Sequence, residues 1–237
     1  MPATTDPLDR TDGCTPVVRL HRDAITALGA PGAERASDGV TNLLTIAART
    51  PWSLTLTPLG EEPRVFGALF DLAVEARSDD DTLEIQGFDR TQLVERVLGG
   101  LTEAGAAAQP ERVRRPVRIP PVLLHTLASA DGGHATDEQL LDLLLALPDD
   151  LRNALGAMRD GRFLERAWSG APLGMANLLV LHCGEHGRWA FWERLDASEP
   201  WNFGTARAQR VDDERLEVLV RETIGDLVEP EPLPTAA

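Results

Sequence analysis

The chain has 237 residues, 43% apolar and 26% charged, an ordinary globular balance that excludes wholesale disorder. Its formal net charge of −15, from 38 acidic and 23 basic side chains, repels phosphate backbones and anionic headgroups, so nucleic-acid and membrane-surface partners are disfavoured. There is no Lys, which removes Schiff-base and P-loop lysine chemistry.

Cys14 and Cys183, far apart in the chain, make no disulfide framework. Met1 to Gly13 carries Asp6, Asp9 and Asp12 without an apolar segment, unlike a secretory signal. No run reaches the roughly 18–20 apolar residues of a membrane helix; Leu140 to Leu147 is interrupted by Asp142 and stopped by Pro148. These features predict a cytoplasmic protein with no membrane insertion.

In chain order, residues 1–15 read as a flexible tail. Val18 to Leu28 is predicted to form a short helix ending at Gly29, and Val40 to Arg49 a second, stopping before Pro51. Trp52, Leu54 and Leu56 then alternate with Ser53, Thr55 and Thr57, the period of a half-buried strand. Arg64 to Arg77 suits one bent strand or a tight hairpin around Gly67 to Asp71, and Leu83 and Ile85 mark another strand. Asp89 is placed to cap a helix from Arg90 to about Ala104. Gln109 to Pro121 is the linker between halves; its Arg112, Arg114, Arg115 and Arg118 form the only dense basic run, expected to be solvated. Val117 and Ile119 suit a short edge strand. Helices follow over Val122 to Ala130, Asp137 to Leu147 behind Thr136, and Leu151 to Met158. Strands return over Phe163 to Trp168, Asn177 to Cys183, Arg188 to Leu195 and Ala206 to Val211. Asp212 caps a last helix from Asp213 to about Val228, before a Pro-rich tail over 229–237.

The two strand-then-helix stretches echo one another. Setting Leu93 against Leu219 also matches Val94 with Val220, Leu98 with Ile224, Gly99 with Gly225 and Leu101 with Leu227. A glycine inside a helix costs about 1 kcal/mol against Ala, so the repeated glycine points to close packing at equivalent places and to a duplication. The predicted fold is α+β: a central, mostly antiparallel sheet of two quasi-repeated halves, 16–108 and 116–228, flanked by helices within a single domain, 16–228.

The order of these segments resembles the EspG family of chaperones associated with type VII (ESX) secretion in actinobacteria, with this chain as a divergent member. The resemblance runs from about Val18 to Val228. It is carried by Leu20 to Gly29, by Trp52 to Phe88 leading into Asp89, and by Val117-Arg118-Ile119-Pro120. Gly161-Arg162-Phe163, Gly187-Arg188-Trp189 and Val211-Asp212 before the terminal helix extend it. The resemblance implies no catalysis and no cofactor. Such proteins hold particular secretion substrates, helical PE–PPE pairs, soluble until export, using the sheet, a loop between its early strands and C-terminal helices. The corresponding loop here, near Ala68 to Leu72, is very short.

Among groups that carry chemistry, His182, Cys183 and His186 are the most metal-like set. Successive strand residues point to opposite faces, however, which separates His182 from Cys183 and favours a hairpin end over a zinc site. Asp79-Asp80-Asp81 and Asp149-Asp150 suit solvation and helix starts better than cation binding. Four of the five tryptophans, Trp168, Trp189, Trp192 and Trp201, fall in the region of the late strands. Trp189 and Trp192 are an odd number of residues apart and must face opposite sides, which offers one of them as an exposed anchor; with Trp201 they are the candidate partner-binding residues. The leading expectation is therefore a non-enzymatic chaperone or adaptor for a helical protein partner. The alternatives are a metal- or small-molecule-dependent enzyme at the His182/His186 turn and an immunity- or antitoxin-like regulatory binder.

Overall fold

The computed structural model describes residues 17–21, 52–58, 62–79, 82–102, 115–128, 136–168, 176–194 and 206–225. The expected helix over Val40 to Arg49, most of the linker, both tails, Cys14 and Trp201 lie outside these residues. Ten strands form one sheet: β1 Val17–His21, β2 Trp52–Pro58, β3 Arg64–Leu69, β4 Leu72–Asp79, β5 Thr82–Asp89, β6 Val117–Ile119, β7 Asp160–Trp168, β8 Ala176–His182, β9 Arg188–Arg194 and β10 Ala206–Arg210. The described α-helices are α1 Leu93–Thr102, α2 Pro121–Ala128, α3 Asp137–Leu145, α4 Asp149–Gly156 and α5 Asp213–Ile224.

Every neighbouring pair of strands is antiparallel, in the order β1-β5-β4-β3-β2-β7-β8-β9-β10-β6. Each half follows the same path, with its first strand at the outer edge beside its fifth and its second strand at the centre. Joining the halves through the antiparallel β2–β7 pair relates them by a pseudo-two-fold axis. Sequence echoes fall at equivalent strand positions. Gln86-Gly87-Phe88-Asp89 closes β5 as Gln209-Arg210-Val211-Asp212 closes β10, and Val18-Arg19-Leu20 on β1 matches Val117-Arg118-Ile119 on β6. Stepping inward through paired residues, Gln86, Glu75, Phe66 and Leu54 correspond to Gln209, Ala190, Val180 and Arg162. Leu56 is then the counterpart of Leu164, and these two leucines are partners across the β2–β7 ladder. The pseudo-dyad passes through that pair.

One face of the sheet carries Leu54, Leu56, Phe66, Phe88, Leu164, Leu178, Val180 and Trp192, sealed by Val97 and Leu101 of α1 and Leu216, Leu219 and Val220 of α5. The two terminal helices pack against each other over it. On the second face, α2, α3 and α4 cover the second half-sheet, burying Leu123, Leu124, Leu151 and Ala154 against Leu179, Leu181, Trp189 and Phe191. Local signals begin these helices. The Asp89 side chain accepts a hydrogen bond from the Thr91 N–H and the Asp212 side chain from that of Arg215. Thr136 and Gln139 complete a reciprocal capping box at the start of α3.

Two expectations need correction. Val18 to His21 is strand, not helix: β1 pairs with β5 along its whole length, and cross-strand pairing overrides a local helical pattern. The echo between terminal helices lies one turn out of the register that the helix caps set. Aligning the caps Asp89 and Asp212 matches Leu93 with Leu216 and Val97 with Val220. Gly99 faces open space, and Gly225 is not inside a helix; it is the C-cap of α5 with φ +60°, a left-handed conformation suited to glycine. The glycine packed at the pseudo-dyad is Gly100, where a Cβ would run into Cδ2 of Leu56, while one at Gly225 would meet Arg166 Nη1 at 2.8 Å.

Neighbouring glycines should therefore respond in opposite directions. Gly99→Ala should stabilise the fold by about 1 kcal/mol through helix propensity, whereas Gly100→Ala should cost about 1–3 kcal/mol by overpacking. Urea unfolding of the two variants checks this; two changes of the same sign would remove the close approach of α1 to β2.

Candidate partner-binding surface

The most metal-like groups of the sequence are engaged in the fold. His182 Nε2 donates to the Leu101 carbonyl at the C-terminal end of α1, at 3.2 Å. Burial holds the imidazole below its ordinary pKa of 6.5. Cys183 lies on the opposite side of the strand in the second core, and burial pushes its thiol up to about 11. Among the described residues no three His, Cys, Asp or Glu side chains gather to hold a metal ion, and no helix is long and apolar enough to cross a membrane. Asp149 and Asp150 occupy the first turn of α4, where Asp149 pairs with Arg152 and the Asp150 carboxylate accepts from the Leu151 N–H.

Trp189 and Trp192 do face opposite sides, as strand parity requires, but each is core: Trp189 is 4% exposed under α2–α4 and Trp192 is 9% exposed under α1 and α5. Neither offers its ring to solvent as an anchor. Arg215 of α5 lies over the Trp192 ring at 5.8 Å and donates to Gln209. The first half repeats the device, with Arg96 of α1 over Phe88 at 4.3 Å and donating to Gln86.

Half-buried polar side chains gather elsewhere, on the second face where the central strands meet. Strand alternation puts Ser53, Thr55 and Thr57 of β2 and Glu165 of β7 there, all half-buried. Between the core under α2–α4 and a small cluster around Val74 and Ile85 of the first half, the central sheet is thus polar. One row crosses five strands on this face: Val65, Thr55, Glu165, Asn177 and Glu193, each paired with the next. Burial deepens along it, from the exposed Val65 to Asn177 at 3% and Glu193 at 5%. His125 of α2 closes the deep end, with Nε2 3.0 Å from the Glu193 carboxylate.

At one end of the same face stands the β3–β4 hairpin. Leu69 pairs with Leu72 around the turn Phe70-Asp71, and both Phe70 (56%) and Leu72 (52%) are exposed. Phe70 has φ +56°, a left-handed conformation that costs a residue with a Cβ roughly 1–2 kcal/mol. The turn is braced from behind: the buried Arg90 donates its guanidinium to the Phe70 carbonyl and its backbone N–H to the Asp71 carbonyl, each at 2.9 Å. Of the two expectations for Arg64 to Arg77, the tight hairpin is the one formed, and its pattern carries no sign that the tip displays an aromatic ring, because that depends on which turn residue adopts positive φ.

No family model and no curated protein sequence matches the chain. Among solved structures it is similar to the Mycobacterium tuberculosis type VII secretion system chaperone EspG5, solved in complex with the PE25–PPE41 dimer. The TM-score is 0.59 at 11% identity, over 92% of this chain and 99% of that one. The chain thus has an EspG-like α+β fold.

The buried imidazole gives this fold a pH signature. As pH falls below 6.5, the unfolded chain takes up a proton at His182 that the folded state resists, so stability should decline with acidification. A His182→Gln variant, which retains a donor for Leu101, should lack this component, seen as a shallower fall of the urea midpoint from pH 7 to pH 5. Equal slopes in the two proteins would mean that His182 is not held neutral.

Proposed function

We propose that the chain is a non-enzymatic chaperone or adaptor of type VII secretion, holding a PE–PPE-like helical pair in the cytoplasm before export. The observation that carries this is the likeness to EspG5 over almost the whole of both chains, in a sheet whose second face carries half-buried polar side chains at its centre. The partner docks against that face and the tip of the β3–β4 hairpin, where Phe70 and Leu72 present apolar area for a helical surface. The net charge of −15 favours a partner with basic patches. The catalytic alternative has weaker support, because His182 is hydrogen-bonded to a helix end and Cys183 is a buried thiol.

Phe70 provides a test that separates binding from folding. Phe70→Gly relieves the left-handed strain, so the variant should be at least as stable as the parent. Co-expressed with PE–PPE-like pairs encoded beside it, the parent should co-purify with one pair and raise its solubility, and Phe70→Gly should lose most of that complex. Failure of every such pair to associate with the parent would end the chaperone reading.

A further inference from the structure

The deep end of the polar row has more acceptors than donors. Glu165, Asn177 and Glu193 stand side by side on β7, β8 and β9, on one face of the sheet. Glu193 is almost fully buried, and the contact shown for its carboxylate is His125 Nε2. Glu165 forms no ion pair among the described residues. Asn177, 3% exposed between the two glutamates, has a buried Oδ1 that accepts no hydrogen bond. A buried carbonyl without a donor costs about 1–3 kcal/mol, and its neighbours on this row are acceptors too. Even with His125 protonated, the site keeps one carboxylate charge in excess.

We propose that Glu165, Asn177 and Glu193 form a receiving site for one basic side chain of the docked partner, an arginine. This deepens the capture function and rests on it. A guanidinium offers five donors in a planar fork, enough to reach two carboxylates and the Asn177 carbonyl together, which an ammonium does less well. Entry is from the half-buried Thr55 and Glu165 side, since His125 and α2 close the other. The site would select, among helical partners, those presenting an arginine beside their apolar contact surface.

The test follows the Asn177 side-chain amide by NMR in the full chain during titration with N-acetyl-argininamide, and with N-acetyl-citrullinamide as an uncharged match. Arginine should give a saturable shift that citrulline does not, and Glu165→Gln with Glu193→Gln should weaken it about tenfold or more. Should the double variant unfold, Glu165→Gln alone, altered at a half-buried position, carries the same comparison. No shift, equal shifts with both compounds, or an affinity unchanged by Glu165→Gln would overturn the assignment. Arginine binding in a protein that captures no PE–PPE-like pair would remove the chaperone function and leave the cation site. Capture without arginine binding would do the reverse.

Discussion

The antiparallel pairing of β2 with β7, with Leu56 opposite Leu164, is the constraint on which the rest of the molecule depends. Two half-sheets of the same topology meet there, and because the joining strands run in opposite directions the terminal helix of each half lands on one common face. On that face α1 and α5 lie together over an apolar layer, and α1 comes down on the central leucine because Gly100 has no side chain to hold it away. Closure of one face by both terminal helices leaves the second face to be treated differently in its two halves. In the second half α2, α3 and α4 cover it; at the join between halves it carries hydroxyls and a carboxylate instead of aliphatic side chains.

Charge is handled differently on the two faces. Beneath the terminal helices, two buried groups are answered locally, although Arg188 Nε is left without a hydrogen bond. Buried Glu75 has Arg77 at 2.7 Å and Arg96 at 3.4 Å, and Arg166 donates to the Ile224 carbonyl where α5 ends. A buried carboxylate with two guanidiniums is a fixed structural element. The row from Glu165 to Glu193 is not answered in this way, since it has a single histidine at one end and an unfilled amide carbonyl within it.

Much of the architecture was legible in the residues because it follows local periodicity. Alternation from Trp52 to Thr57, the Asp89 and Asp212 caps, and Thr136 before α3 each encode their element without long-range help. The short edge strand at Val117 also emerged, since prolines flank it. What escaped depended on contacts between distant segments. β1 is a strand because β5 pairs with it, and a five-residue segment of mixed polarity carries too little pattern to announce that. Helix pattern alone gives the internal repeat a wrong register, because two amphipathic helices superpose nearly as well when slid by a turn, whereas the Gln-x-x-Asp strand ends do not. For the candidate anchors, parity separated Trp189 from Trp192 but said nothing of what covers each; both faces are roofed by helices at those points. Glu165 and Glu193 belong to different strands, and only the registers across β8 bring them into one row.

The two outermost strands carry one more consequence. β1 and β6 end the sheet, and unsatisfied backbone groups on such strands invite another copy to zip on and extend the ribbon without limit. At equivalent positions both bear an exposed arginine, Arg19 and Arg118, in strands of only five and three residues. Stacking margin against margin would gain very few hydrogen bonds, and Arg19 already holds Glu84 at 2.7 Å across the β1–β5 ladder. The pseudo-symmetry that doubled the sheet therefore doubled its protection against runaway polymerisation.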